Sequence, residues 1–129
     1  MRLTTRSKYG LRAAYFLAEH YEDGPISLSY MVDKLFLSDT YLEQLLRRLK
    51  KDGIVKSFRG KNGGYQLNRA PDEITIGEVL RSLEGSISSS DCVESFKCRQ
   101  YDCKTRNIFV EIDEAVNSVV DNKTLKDMI

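Results

Sequence analysis

Three cysteines fall in one short stretch, Cys92, Cys98 and Cys103, spaced C-x(5)-C-x(4)-C within DCVESFKCRQYDC. Thiolates gathered this closely suit soft metals: zinc, copper(I) or an iron-sulfur cluster. Structural zinc sites favour short C-x(2-4)-C pairs, which this stretch lacks. Free or redox-active thiols are the alternative, and Lys97, Arg99 and Lys104 nearby favour the thiolate form. The lone histidine, His20, has no cysteine close in sequence and is expected at the surface or in a cap rather than on a metal. An odd number of cysteines, all in this stretch, and the reducing compartment expected of this chain argue against a structural disulfide framework.

A second chemical feature is positive charge. Residues 47–61 hold seven basic residues (Arg47, Arg48, Lys50, Lys51, Lys56, Arg59, Lys61) against Asp52 alone, a local charge of +6. Such a run attracts a polyanion through its phosphates and through counterion release. The net charge of +1 conceals a division: residues 1–70 carry 13 Lys+Arg and 7 Asp+Glu, residues 71–129 carry 7 and 12. No stretch approaches the roughly 20 apolar residues of a membrane span, and the N-terminus has no apolar core of a signal peptide. A cytoplasmic protein without membrane partners is expected. Neither a Gly-rich nucleotide loop nor a Ser/His/Asp set is present, so an enzyme is not.

These residues need positioning elements. Leu42, Leu45, Leu46 and Leu49 recur at helical spacing, with Glu43, Gln44, Arg47, Arg48, Lys50 and Lys51 largely on other faces. Ser38, Asp39 and Thr40 supply capping oxygens, and Thr40-x-x-Glu43 has capping-box form. Gly53 stops this helix, and residues 54–67, with Gly60, Gly63 and Gly64, read as a hairpin tipped by Arg59, Lys61 and Asn62. Upstream, residues 5–21 predict a helix burying Tyr9, Ala13, Phe16, Leu17 and Tyr21. After Gly24-Pro25 and a capping Ser27, a short helix follows on Leu28, Met31, Val32 and Leu35. Two helices joined by the Phe36-Leu37 turn and followed by a hairpin form a winged helix-turn-helix, whose second helix reads DNA grooves.

Beyond a connector with Pro71, Thr75-x-x-Glu78 opens a fourth helix with Ile76, Val79, Leu80 and Leu83 buried and Gly85 as its stop. The polar stretch SISSSD leads into the cysteines, so residues 86–104 are expected to be a sensor loop. A helix from about Thr105 lines up Ile108, Phe109, Ile112, Ala115, Val116, Val119 and Val120, and ends at Asn122. So apolar a face past a complete core wants another surface: docking on its own domain is open, and pairing with a second copy is the preferred reading. A last turn over residues 124–129 is expected to dock Leu125 and Met128. The fold class is therefore mostly α with a small β-hairpin wing. A DNA-binding domain over 1–70 would precede a sensor and dimerisation region over 71–129.

In this order the chain resembles the IscR/NsrR/CymR-type winged helix-turn-helix transcriptional regulators, nearly end to end. The residues that carry the resemblance are Met1-Arg2-Leu3-Thr4, Thr40-Tyr41-Leu42-Glu43-Gln44-Leu45, Arg59-Gly60-Lys61-Asn62-Gly63-Gly64-Tyr65, Ile76-Gly77-Glu78-Val79, the three cysteines and Thr124-Leu125. The resemblance implies a homodimer on imperfect palindromes of double-stranded DNA, with the long helix as the dimer contact. It implies that Cys92, Cys98 and Cys103 hold an iron-sulfur cluster, usually 2Fe-2S, and that Arg59 enters the minor groove. CymR-like members lack those cysteines and respond to sulfur metabolism through a partner enzyme. Two departures stand out. IscR-like members have five residues between the second and third cysteines and a histidine three residues after the third, where this chain has four and Arg106. NsrR-like members use an acidic ligand where this chain has Lys8. The fourth ligand would come from Asp91, Glu94, Asp102, a backbone group, water or a small thiol.

Position and chemistry assign the remaining contacts. Thr40, Tyr41, Glu43 and Gln44, at the start of the helix, would read bases, since Gln pairs with adenine and Glu accepts from cytosine N4. Ser38, Arg47, Arg48, Lys56 and Lys61 would hold phosphates. Tyr41 has a second reading, in which its ring packs between helices and only its hydroxyl reaches out. The expected function is a cluster-responsive repressor of iron-sulfur assembly or sulfur-metabolism genes. The alternative is a CymR-like regulator of cysteine metabolism answering to thiol oxidation or a partner protein.

Overall fold

The computed structural model describes residues 3–88 and 103–129, and its order of elements matches the winged-helix expectation. Helix α1 (Thr5–Glu19) is capped by the Thr4 hydroxyl, which accepts from Arg6 N at 3.2 Å. It ends before residue 21, because the chain tightens into a 3-10 turn over Tyr21–Asp23. There His20 Nδ1 lies 2.8 Å from Asp23 Oδ2, in keeping with a surface role. The buried face of α1 corrects the sequence reading. Ser7, Gly10, Ala13, Ala14, Leu17 and Ala18 are buried, whereas Tyr9, Phe16 and Tyr21 are only partly covered. Small residues won the inner face because α4 packs closely there.

Helix α2 (Leu28–Leu35) is capped by Ser27 and buries Met31 and Leu35. It ends on Phe36, whose left-handed backbone (φ 57°) makes the turn into α3 while its ring stands almost fully exposed. In α3 (Asp39–Lys51) the four leucines at positions 42, 45, 46 and 49 are all buried, as their spacing predicts. Its cap is Ser38, whose Oγ accepts from Tyr41 N at 3.1 Å. Thr40 therefore lies inside the helix and the expected Thr40–Glu43 box is not used. Ser38 sits at the one position whose extended backbone aims its hydroxyl at free amide groups.

Strands β1 (Val55–Phe58) and β2 (Gly64–Leu67) pair antiparallel in the register Val55 with Leu67 through Phe58 with Gly64. Ile26 bridges Tyr65 through paired backbone bonds of 2.8 Å, fastening the hairpin to the chain ahead of α2. Gly64 permits this approach, because a β-carbon there would strike the backbone of Ile26 and Ser27. The wing is thus held to the body and not merely hung from α3.

A 3-10 turn over Pro71–Glu73 leads to α4 (Ile76–Glu84), where the Thr75–Glu78 capping box forms reciprocally at 3.0 Å in each direction. Val79, Leu80 and Leu83 close the core against α1 and α3. Helix α5 (Lys104–Asp121) ends on Asn122. Its C-terminal end is fastened by a backbone bridge, in which Ile76 N donates to Lys123 O (2.8 Å) and Leu125 N to Ile74 O (3.0 Å). The following turn, Leu125–Met128, buries Leu125 as expected, but Met128 is 41% exposed. No helix among the described residues is long and apolar enough to cross a membrane.

Candidate nucleic-acid interface

The N-terminal end of α3 is built by its cap. With the Ser38 hydroxyl committed to Tyr41 N, Thr40, Glu43 and Gln44 project from the first two turns as exposed side chains. Tyr41 behaves differently: its ring stands edge-on to Tyr9 of α1, with centroids 6.2 Å apart, and is half-buried. Packing between helices thus describes the ring. Two cations that the sequence reading passed over flank this pair, Lys8 at 5.3 Å and Arg12 at 5.8 Å from the Tyr9 ring. Their i, i+4 spacing around an aromatic in a basic chain was the available signal.

Further along α3, Arg47 is held loosely by Glu43 at 3.8 Å. Arg48 Nη1 instead reaches the Leu83 carbonyl of α4 at 3.5 Å, and the Ser82 hydroxyl donates to the Arg48 carbonyl at 3.1 Å. Arg48 is therefore partly engaged in tying the recognition helix to α4. On the wing, Lys56 and Phe58 share the outward side of β1, Lys56 Nζ lying 5.5 Å over the Phe58 ring. Arg59 and Lys61 are exposed at the tip, closed by Gly63 N donating to Gly60 O at 3.1 Å. Ser38, Thr40, Glu43, Gln44, Arg47, Lys56, Arg59 and Lys61 are all exposed, on α3, its cap and the wing that follows it.

Behind the interface, α4 bridges α3 to α5. Arg81 makes a two-toothed ion pair with Asp121 (2.7 and 2.9 Å) and donates to Asn117 Oδ1 at 2.5 Å. The hydrogen bond from Arg81 holds the Asp121 carboxyl below its usual pKa, and the same bond raises that of the guanidinium. Asn117 Nδ2 in turn donates to the carbonyls of Asp113 (2.7 Å) and Ile87 (3.4 Å), and Ser88 Oγ donates to Asp113. Asp113, Asn117 and Asp121 of α5 therefore face their own chain, together with Val116 and Val120, which pack against the core. Ile108, Phe109, Ile112 and Val119 are left exposed, between 37% and 57%.

Of the three cysteines, Cys103 is described, and Cys92 and Cys98 lie outside the described residues, as do Asp91, Glu94 and Asp102. Cys103 occupies the N-cap of α5, with Sγ 3.0 Å from Thr105 Oγ1. The Thr105 hydroxyl bond lowers its thiol pKa, assisted by the backbone amide of Arg106 and that residue's charge. A thiol so placed fits a ligand to a soft metal, while Arg106 serves the thiolate electrostatically and, as a guanidinium, is a poor ligand itself. Among the described residues no group of three or more His, Cys, Asp or Glu comes together to hold a metal.

Residues 3–129 match the Rrf2 family model, described as an iron-dependent transcriptional regulator. The chain is 39% identical over 128 residues to the HTH-type transcriptional regulator CymR of Bacillus subtilis, covering 99% of this chain and 89% of that protein. It is 34% identical over 130 residues to the HTH-type transcriptional regulator IscR of Yersinia enterocolitica, covering all of this chain and 79% of that one. The solved structure of CymR, the global cysteine regulator of B. subtilis, superposes with a TM-score of 0.87 at 38% identity, over 99% of this chain and 95% of that one.

Proposed function

Since the chain belongs to the Rrf2 family of DNA-binding transcriptional regulators, we propose that it is a homodimeric repressor whose operator binding answers to an iron-sulfur cluster. Thr40, Glu43 and Gln44 read base edges in the major groove, Arg59 enters the minor groove, and Ser38, Tyr41 (by its hydroxyl), Arg47, Arg48, Lys56 and Lys61 hold phosphates. Residues 1–70 form the reading head and 71–129 the sensor and pairing region. The apolar side of α5 pairs with that of a second copy, which sets two reading heads over the half-sites of an imperfect palindrome. One observation supports this most: a helix whose start is capped by Ser38 leads directly into an arginine-tipped wing braced by the Ile26–Tyr65 bridge, and both carry exposed polar and basic side chains.

Cys92, Cys98 and Cys103 hold the cluster, of 2Fe-2S type, with the fourth ligand supplied by a group other than Arg106. When bound, the cluster supplies an inorganic group sensitive to iron supply, oxygen and nitric oxide. Cys103 contributes a thiolate stabilised by Thr105, and the regulated genes are those of iron-sulfur assembly or sulfur metabolism. Protein prepared without oxygen is expected to be coloured, to contain iron and acid-labile sulfide, and to lose both on Cys98→Ala. A colourless preparation that still binds operator DNA would reject the cluster.

The similarity to CymR favours a second reading, in which Cys103 and its neighbours act as a thiol switch or the regulator answers to a sulfur-metabolism enzyme. Thiol titration before and after mild oxidation, alongside operator binding, separates the two.

A further inference from the structure

We propose that the recess between the rear half of α3 and α4 is a seat for a phosphate group, in which α4 takes part through Ser82. A cavity of about 540 Å³ opens there, lined by Gln44, Arg47, Arg48, Lys51, Asp52 and Ser82. That lies within the range of roughly 300–1,000 Å³ common for small-molecule sites, so a phosphate fits with the sugar or ester attached to it.

The sequence spacing makes the wall. Gln44, Arg47 and Lys51 are three and four residues apart, hence on one stripe that runs from the base-reading end of α3 back toward α4. Three cations face one carboxylate, Asp52, leaving a net charge of +2 in the lining. Among the described residues Lys51 makes no ion pair, and Arg47 has only the long contact to Glu43. The walls are set before any ligand arrives. Ser82 Oγ to Arg48 O and Arg48 Nη1 to Leu83 O fix the spacing of the two helices, so binding does not have to order them. Ser82 acts through that wall, since its one hydroxyl proton is committed to the Arg48 carbonyl.

The inference rests on the reading of α3 as a recognition helix for its first source of phosphate. With Gln44 on a base edge, a group in the seat belongs to the backbone strand bordering that groove. A free phosphate ester is the second source, and by sharing Gln44 and Arg47 with the duplex it would compete with it.

The test uses the full chain. Operator affinity is measured by fluorescence anisotropy over a potassium chloride series for wild type, Lys51→Gln, the Arg47→Gln/Lys51→Gln pair and Ser82→Ala. Inorganic phosphate and pyrophosphate are titrated calorimetrically into the DNA-free protein. For a backbone phosphate, Lys51→Gln flattens the slope of log K against log salt by about 0.9, the pair deepens the loss, and Ser82→Ala weakens binding severalfold with the slope kept. For a free ester, pyrophosphate binds wild type, competes with the duplex and is lost in Lys51→Gln, whose duplex slope stays unchanged. Wild-type operator binding with unchanged variant slopes and no phosphate or pyrophosphate binding overturns the seat and leaves the proposed function standing. Wild type that ignores every duplex yet binds pyrophosphate through Lys51 does the reverse.

Discussion

Replacing Gly77 by alanine puts one methyl group where the clasp between α4 and α5 passes. A β-carbon there would run into Asp121 Oδ1 and lie 2.6 Å from Arg81 Nη1 and 3.2 Å from Asp121 Cγ, whereas ordinary contacts need about 3.5 Å or more. Both obstructing groups are ends of flexible side chains, so the clasp should yield and the helices stay. Arg81 and Asp121 are 36% and 45% exposed, and screened pairs of this kind contribute about 0.2–1 kcal/mol, the two-toothed geometry favouring the upper end. Alanine in place of glycine returns up to about 1 kcal/mol of helix preference. The net change in stability is therefore within about 1 kcal/mol, and the informative quantity is the coupling. Arg81→Ala is expected to cost about 1 kcal/mol in the parent chain and close to nothing in the Gly77→Ala background, by urea denaturation at pH 7. The pH dependence follows from the lowered Asp121 carboxyl. Its contribution is present above the unfolded value of about 3.9 and is lost as pH falls through the lower folded value, so the cost of Arg81→Ala should fade as the medium is acidified below that unfolded value. Additive costs for the two substitutions, or an Arg81 effect that stays constant through acid titration of the folded chain, would refute the reasoning.

Phe36→Gly should raise stability by about 1 kcal/mol, read as a higher urea midpoint, since Phe36 holds a left-handed backbone while burying almost nothing; a lower midpoint would mean its ring packs. Gly10→Ala drives a β-carbon into Leu83 (Cδ2 at 2.6 Å, Cγ at 3.0 Å), and overpacking of about 1–3 kcal/mol should exceed the helix gain of about 1 kcal/mol; Leu83→Ala added to it should cost less than the two single costs summed. Glu84, lodged where burial alone would raise its pKa, is pulled below the usual range by hydrogen bonds from the Thr4 hydroxyl and from Ser7, with the Arg6 charge assisting. Glu84→Gln should therefore destabilise the chain by about 1 kcal/mol at pH 7, and the difference should close as pH falls below about 4.

Where local pattern and tertiary demand agreed, the residues told the outcome in advance. The leucine stripe of α3, the glycines and β-prone residues of the wing and the Thr75–Glu78 box each satisfy a requirement within a few positions of themselves. At Ser38 and Thr40 several adjacent oxygens competed for one cap, and only the backbone angle at Ser38 decides between them. In α1 the large apolar residues drew attention, yet close approach by α4 selected Gly10, Ala13 and Ala14. The inward turn of Asp113 and Asn117 was hidden for another reason: their partners, Arg81, Ile87 and Ser88, lie 25 or more positions away. Periodicity weighs apolar residues against polar ones and is blind to polar groups that satisfy one another. Ser82 and the recess it lines were out of reach of spacing for the same reason.

The fastening of α5 at one end gives it mechanical leverage. An α-helix rises about 1.5 Å per residue, so the ten residues from Asp113, the last of its polar ties, to Cys103 form an arm of roughly 15 Å. Swinging that arm by about 5° carries Cys103, at its tip, through about 1 Å. Taken in the opposite direction, the same gearing turns a small translation at the thiol into a slight torque on α4, which is stitched to the recognition helix through Ser82 and Arg48.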